Sequence, residues 1–163
     1  MTAGPQFWVF AGPNGAGKST IVARYRVPDR IPVVNPDTIA ARLQPGHKGG
    51  PAIMLRAGRI AASERRKLME SGRSFAIETT LTGHSELRMM ACARAVGYKI
   101  TLVYVGLNNA LTSLARVRGR VARGGHDVPT ETVLRRYGKS LENLPATTSI
   151  SSLLATRDSD RPG

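Results

Sequence analysis

Gly12-Pro13-Asn14-Gly15-Ala16-Gly17-Lys18-Ser19-Thr20 is a G-x-x-x-x-G-K-S motif, and its residue types suit one task, the holding of a triphosphate. Glycines let successive backbone N–H groups turn inward around a phosphate with no Cβ in the way. The apolar run Phe7 to Ala11 reads as a buried strand before the loop, and Ile21 to Arg26 reads as a helix after it. The helix brings the positive end of its dipole to the same spot. In that setting Lys18 would neutralise the β and γ phosphates of ATP, and the Ser19 hydroxyl would take a place on Mg²⁺. A glycine-rich turn with an incidental lysine is the competing reading, and the correct strand and helix flanks argue against it.

Two acids and a basic cluster add chemistry to that cradle. Asp37 follows a second short apolar run, so its carboxylate is expected at the sheet edge that carries the loop. There it can take the proton of an attacking hydroxyl, or it can do no more than stabilise a helix N-terminus. Glu78 ends a third apolar run, where an acid can serve Mg²⁺ or water, and Thr79 and Thr80 beside it can hydrogen-bond a substrate. Arg116, Arg118, Arg120 and Arg123 precede the pair Gly124-Gly125, and spacing places Arg116, Arg120 and Arg123 near one helix face. Such like charges need solvent or an anion between them. The functional reading is a lid that closes over ATP, excludes water and brings an arginine to the transferred phosphoryl group.

The elements that must position these groups alternate. Strands are expected at Phe7–Ala11, Ile31–Val34, Arg73–Thr79 and Ile100–Val105. Helices are expected from Pro36 to about Leu43, and at Ala52–Glu70, Leu87–Val96, Ala110–Arg123 and Thr130–Leu144. In the second of these, Arg56, Arg59, Arg65, Arg66 and Lys67 are expected to face mostly outward. Alternation at this spacing predicts an α/β fold of the P-loop NTPase, kinase-like kind: a short parallel sheet between helices in three layers, with a helical lid.

A net charge of +13, from 24 Lys and Arg against 11 Asp and Glu, attracts polyanions such as nucleic acid, an acidic protein or a nucleotide. Few aromatics are present for base stacking, so nucleic acid is the less favoured partner. No run reaches the roughly 18 apolar residues of a membrane helix, and no membrane partner is expected. The lone Cys92, beside Met90 and Ala91, reads as a core thiol in a reducing cytoplasm. His47, His84 and His126 show no metal-ligand spacing, and His126 reads as a loop anchor.

Taken together, Gly12 to Thr20, Asn35-Pro36-Asp37, Ile77-Glu78-Thr79-Thr80-Leu81 and Arg116-Val117-x-x-Arg120-Val121-x-x-Gly124-Gly125-His126-x-Val128-Pro129 resemble the zeta-toxin family of P-loop kinases. Arg135-Arg136-Tyr137, Ser140 and Asn143-Leu144 fit the same pattern, and the likeness is to small stand-alone bacterial members. The resemblance implies ATP-dependent phosphorylation of a hydroxyl on a nucleotide sugar such as UDP-N-acetylglucosamine, with an acidic antitoxin as a possible partner. It implies Asp37 as general base, Lys18 and Arg120 as γ-phosphate contacts, and Glu78 and Thr80 on the substrate side. Arg116, Arg123 and Arg136 all remain candidates for a second lid contact. Residues 1–145 form the expected kinase-like domain. After Leu144 relatives usually continue into another strand, whereas residues 146–163 are polar here. They are expected to form a disordered tail, or a short edge element using Ile150, Leu153 and Leu154.

Three other readings stand beside this one. The loop wording is also that of ABC-transporter ATPases, but the long apolar strand ending in Asp-Glu that they need is missing. Another small-molecule or nucleic-acid kinase is the second. The third is a nucleotide-binding relative without transfer activity.

Overall fold

The computed structural model describes residues 4–45, 50–125 and 127–157. Strand β1 (Gln6–Ala11) lies at the centre of a parallel sheet because both of its faces are apolar. Phe7, Val9 and Ala11 are wholly buried on one face and Phe10 is nearly so on the other. On one side β1 pairs with β3 (Phe75–Thr79), and beyond it lies the two-residue β2 (Val33–Val34). On the other side come β4 (Lys99–Gly106) and then the edge strand β5 (Ser152–Arg157). The order is β2-β3-β1-β4-β5, all parallel, which is the α/β P-loop NTPase arrangement.

The two faces are covered unequally. Helix α1 (Lys18–Arg24) packs Ile21 and Val22 against the face carrying Phe10 and Ala76. The opposite face is covered by α2 (Pro36–Leu43), α3 (Pro51–Glu70) and α4 (His84–Ala95). These helices bury Ile39, Ala57, Ala61, Met90 and Ala93 against Phe7, Val9 and Ile77. The stacked rings of Phe7 and Phe75, with centroids 4.4 Å apart, fill the middle. Helices α5 (Ala110–Ala122) and α6 (Thr130–Asn143) form a small core of their own from Leu114, Val117 and Val133, with Val128 of the segment between them. That separate core gives the expected helical lid its structural basis.

Several expectations are corrected. Helix α4 begins at His84, three residues before Leu87, because Ser85 and Glu86 complete its first turn. Cys92 is exposed, not a core thiol. The inward stripe of α4 runs through Met90 and Ala93, and at 100° per residue Cys92 falls outside it. Beyond α6 the chain is anchored: Thr147 is fully buried, Ile150 packs on the main core, and Arg94 Nη1 donates to the Ser149 carbonyl at 2.5 Å. Residues 152–157 then extend the sheet past residue 145, with Leu102 opposite Leu153 and Tyr104 opposite Ala155. Of the two readings of the tail this is the short edge element, formed around Leu153 and Leu154 while Ile150 turns into the core, and the side chains of Ser152 to Thr156 are exposed.

One long-range bond connects α6 to the site edge. The side-chain amide of Asn143 donates to the carbonyl of Leu81 at 2.9 Å. Leu81 is fully buried at φ 56°, a left-handed conformation that a branched residue adopts only when its surroundings hold it there. Asn143→Ala removes that hold and leaves a buried carbonyl without its donor, so it is expected to cost about 1–3 kcal/mol in urea unfolding.

Candidate active site

The carboxyl ends of β1, β2 and β3 open on a cavity of about 1050 Å³. Its floor is the loop between β1 and α1. Gly12 holds φ 147°, and a Cβ there would stand 2.2 Å from the Val105 carbonyl oxygen; at Gly15 (φ 74°) it would meet Arg116 Cβ at 2.9 Å. Both positions therefore exclude side chains, and the backbone forms a bare cradle. Asn14, Gly15, Gly17, Lys18, Ser19 and Thr20 line the cavity. Gly12, Pro13 and Ala16 are buried beneath it. The Lys18 ammonium donates to the carbonyls of Gly12 (2.8 Å) and Pro13 (3.0 Å).

Burial strips water from that ammonium and lowers its pKa to about 8, against the attraction of Glu78 and Asp37; the charges of Arg120 and Arg136 lower it further. Asp37 thus acts electrostatically on Lys18 and lines the same cavity, with its carboxylate exposed. Asn35 sets its place. As N-cap of α2, Asn35 accepts from the Asp37 backbone N–H at 2.9 Å, and its amide donates to Glu78 Oε1 at 2.9 Å. The other Glu78 oxygen accepts from Ser19 Oγ at 2.6 Å. One carboxylate at the end of β3 thereby joins the P-loop helix to the start of α2. Thr80 lines the cavity as well, its hydroxyl 3.1 Å from that of Thr82.

Opposite stands α5. Thr112, Ala115, Arg116, Gly119, Arg120 and Arg123 recur at helical spacing along its cavity face, while Arg118 points away and is exposed. Ser113 Oγ donates to the Asn14 carbonyl at 2.5 Å and Arg116 Nη1 to the Gly15 carbonyl at 3.5 Å, so α5 touches the cradle directly. Arg136 of α6 joins this wall. All the side chains singled out from the sequence on the two acids and the basic cluster, Arg118 excepted, share one cavity. His47 and His126 lie outside the described residues, and His84 is exposed.

Sequence reasoning missed three groups. Asn35 was read only as part of the Asn35-Pro36-Asp37 run, neither as the N-cap of α2 nor as the bridge to Glu78. Arg65, expected to face outward, lines the cavity from α3, and Glu86 of α4 lines it nearby. Nothing local distinguished Arg65 from its basic neighbours.

A bound nucleotide and metal fit these residues. The bare cradle and the Lys18 ammonium suit a triphosphate, and the Ser19 hydroxyl with the Glu78 carboxylate suits a hard cation that keeps most of its waters. Among the described residues no group of three or more His, Cys, Asp or Glu gathers to hold a metal. Among them, too, no helix is long and apolar enough to cross a membrane.

Sheet order, cradle and cavity define a P-loop protein of the kinase-like type. Residues 7–144 match the AAA domain family (AAA_33), and the chain belongs to it. An uncharacterized protein of Haemophilus influenzae strain Rd is 33% identical over 129 residues, spanning 78% of this chain and 89% of the relative. Among solved structures, that of AvrRxo1-ORF1:-ORF2 with ATP superposes with a TM-score of 0.71 at 18% identity, covering 94% of this chain and 55% of that one. The PezAT chromosomal toxin–antitoxin system of Streptococcus pneumoniae gives 0.68 at 16% identity, covering 98% and 71%. At such identities the likeness is one of fold.

The lowered pKa of Lys18 has a measurable sign. An anion at the cradle favours the ammonium, so above pH 8 the protein must take up a proton to bind nucleotide. ATP affinity is expected to be flat up to about pH 7.5 and to fall by up to about tenfold per pH unit above 8. Calorimetry at pH 8.5 in buffers of different ionisation enthalpy checks the proton uptake. In Lys18→Met both effects vanish.

Proposed function

We propose that this protein is a zeta-toxin-like kinase that transfers the γ-phosphate of ATP to a hydroxyl of a nucleotide sugar such as UDP-N-acetylglucosamine. The observation that carries this reading is the shared cavity of Lys18 and Asp37, with the Asp37 carboxylate acting on the Lys18 ammonium and open to an acceptor. In the reaction the acceptor oxygen bonds to the γ-phosphorus as the bond to the β–γ bridging oxygen breaks, and its electron pair leaves with ADP. Asp37 takes the hydroxyl proton and later passes it to solvent. Lys18 and Arg120 balance the charge on the transferred group, and Arg116, Arg123 and Arg136 close the α5–α6 side against water. Ser19 and Glu78 would hold Mg²⁺, which when bound offsets phosphate charge; Glu78 and Thr80 face the acceptor.

Two neighbours in fold support the reading: one is a toxin–antitoxin system and the other was determined with ATP. By extension, an acidic partner that docks on the basic face and restrains the enzyme in the cytoplasm belongs to the same proposal.

Asp37→Asn is expected to fold and to bind ATP within about threefold of the original, yet to transfer phosphate at least about a hundredfold more slowly. ³¹P NMR after incubation with ATP and UDP-N-acetylglucosamine, other UDP-sugars or 5′-hydroxyl oligonucleotides reads both rate and acceptor. Undiminished transfer by the variant removes Asp37 as base. Product on oligonucleotides alone moves the assignment to a nucleic-acid kinase.

A further inference from the structure

Across the cavity from α5, helix α3 presents Met54, Gly58, Ala61 and Arg65, spaced four, three and four residues apart on one stripe. The stripe is low at its middle. Ala61 is 1% exposed and Gly58 has no side chain, so the long guanidinium of Arg65 is the cation this wall offers the cavity. Its Nε–H is buried and meets no hydrogen-bond acceptor. That nitrogen is itself closed to solvent, so an incoming anion would be met by the rest of the guanidinium, which lines the cavity and offers a planar fork of donors suited to an oxyanion.

Arg65 stands apart from the phosphate-transfer cluster. The charges that act on Lys18 are Glu78, Asp37, Arg120 and Arg136; the charge that acts on Arg65 is Glu86, which favours the cation against the cost of its burial. One oxygen of Glu86 is already engaged by the Ser85 hydroxyl at 2.8 Å. The cavity wall carries six basic side chains (Lys18, Arg65, Arg116, Arg120, Arg123 and Arg136) against three carboxylates (Asp37, Glu78 and Glu86). Five of the six lie on the cradle or on α5 and α6, the side to which the proposed function assigns the triphosphate. The sixth is on α3.

We propose that Arg65 is the anion-binding residue of the acceptor subsite, so that the acceptor carries an oxyanion, phosphoryl or carboxylate, which Arg65 grips while its hydroxyl meets Asp37. Arg65 thereby selects anionic sugars over neutral ones. The proposal rests on the phosphoryl-transfer reading, and it names the acceptor class by charge.

The test uses the full chain saturated with Mg²⁺ and a non-hydrolysable ATP analogue, titrated calorimetrically with UDP-N-acetylglucosamine, gluconate and N-acetylglucosamine. One of the two anionic sugars is expected to bind at least tenfold more tightly than the neutral one, and which of them does so separates a phosphoryl from a carboxylate ligand. Arg65→Met is expected to erase that preference, Arg65→Lys to keep part of it, and both to leave analogue affinity within threefold and the melting temperature undiminished. The proposal is overturned if the preference survives in Arg65→Met, if the loaded protein shows no preference for either anionic sugar, or if Arg65→Met melts several degrees lower or fails to fold. Failure of the analogue itself to bind instead overturns the nucleotide-dependent function on which the proposal rests.

Discussion

The Glu78 carboxylate accepts a hydrogen bond from the Ser19 hydroxyl on one oxygen and from the Asn35 amide on the other, and the site is organised around that bridge. Neither partner is near Glu78 in sequence. Ser19 is placed by the P-loop and the first turn of α1, and Asn35 by the end of β2. Because β2 is only two residues long, its carboxyl end has little ladder to hold it, and the Asn35–Glu78 bond supplies the missing constraint. Asn35 then caps α2 with its carbonyl oxygen and so places Asp37 at the rim shared with Lys18. A charge-assisted bond of this kind is roughly twice as strong as a neutral one, which suits a contact that must order three separate chain segments.

Around that bridge the electrostatics are unbalanced by design of the fold. Several arginines converge on a lysine that burial already disfavours as a cation, so the ligand-free cavity is a region of unmet positive potential. Packing of the main core does not remove this tension, because α5 and α6 close on a separate core around Val117 and Val133. Most of the cations sit on that pair of helices, whereas Asp37 and Glu78 stand at the carboxyl edge of the sheet and Glu86 on α4. An anion drawn between them would hold the two parts together, which is how a helical pair with its own core can act as a cover over the cradle.

Local residue pattern and global position contributed differently to what could be read in advance. The cradle was legible because its requirements are local: backbone N–H groups must converge, side chains must be absent, and one ammonium must stand a fixed number of residues away. The sheet was legible from apolar runs buried on both faces. By contrast β5 has exposed side chains and is a strand only because β4 offers it an unpaired edge. Cys92 sits beside Met90 in sequence but outside the stripe of α4 that is buried. Arg65 resembles Arg66 in type and in charge, and differs from it in lining the cavity.

The chain's own residue order determines that a phosphate cradle exists, that an acid follows each of two strands, and that three arginines share a helix face, since each depends on spacing over a few residues. The folded arrangement alone decides that Glu78 ties Ser19 to Asn35, that Lys18 is desolvated beside Asp37, and that Arg65 turns inward. Those outcomes depend on which strand lies next to which and on how each helix is rotated against the sheet, and such contacts between distant residues leave no periodic mark in the sequence.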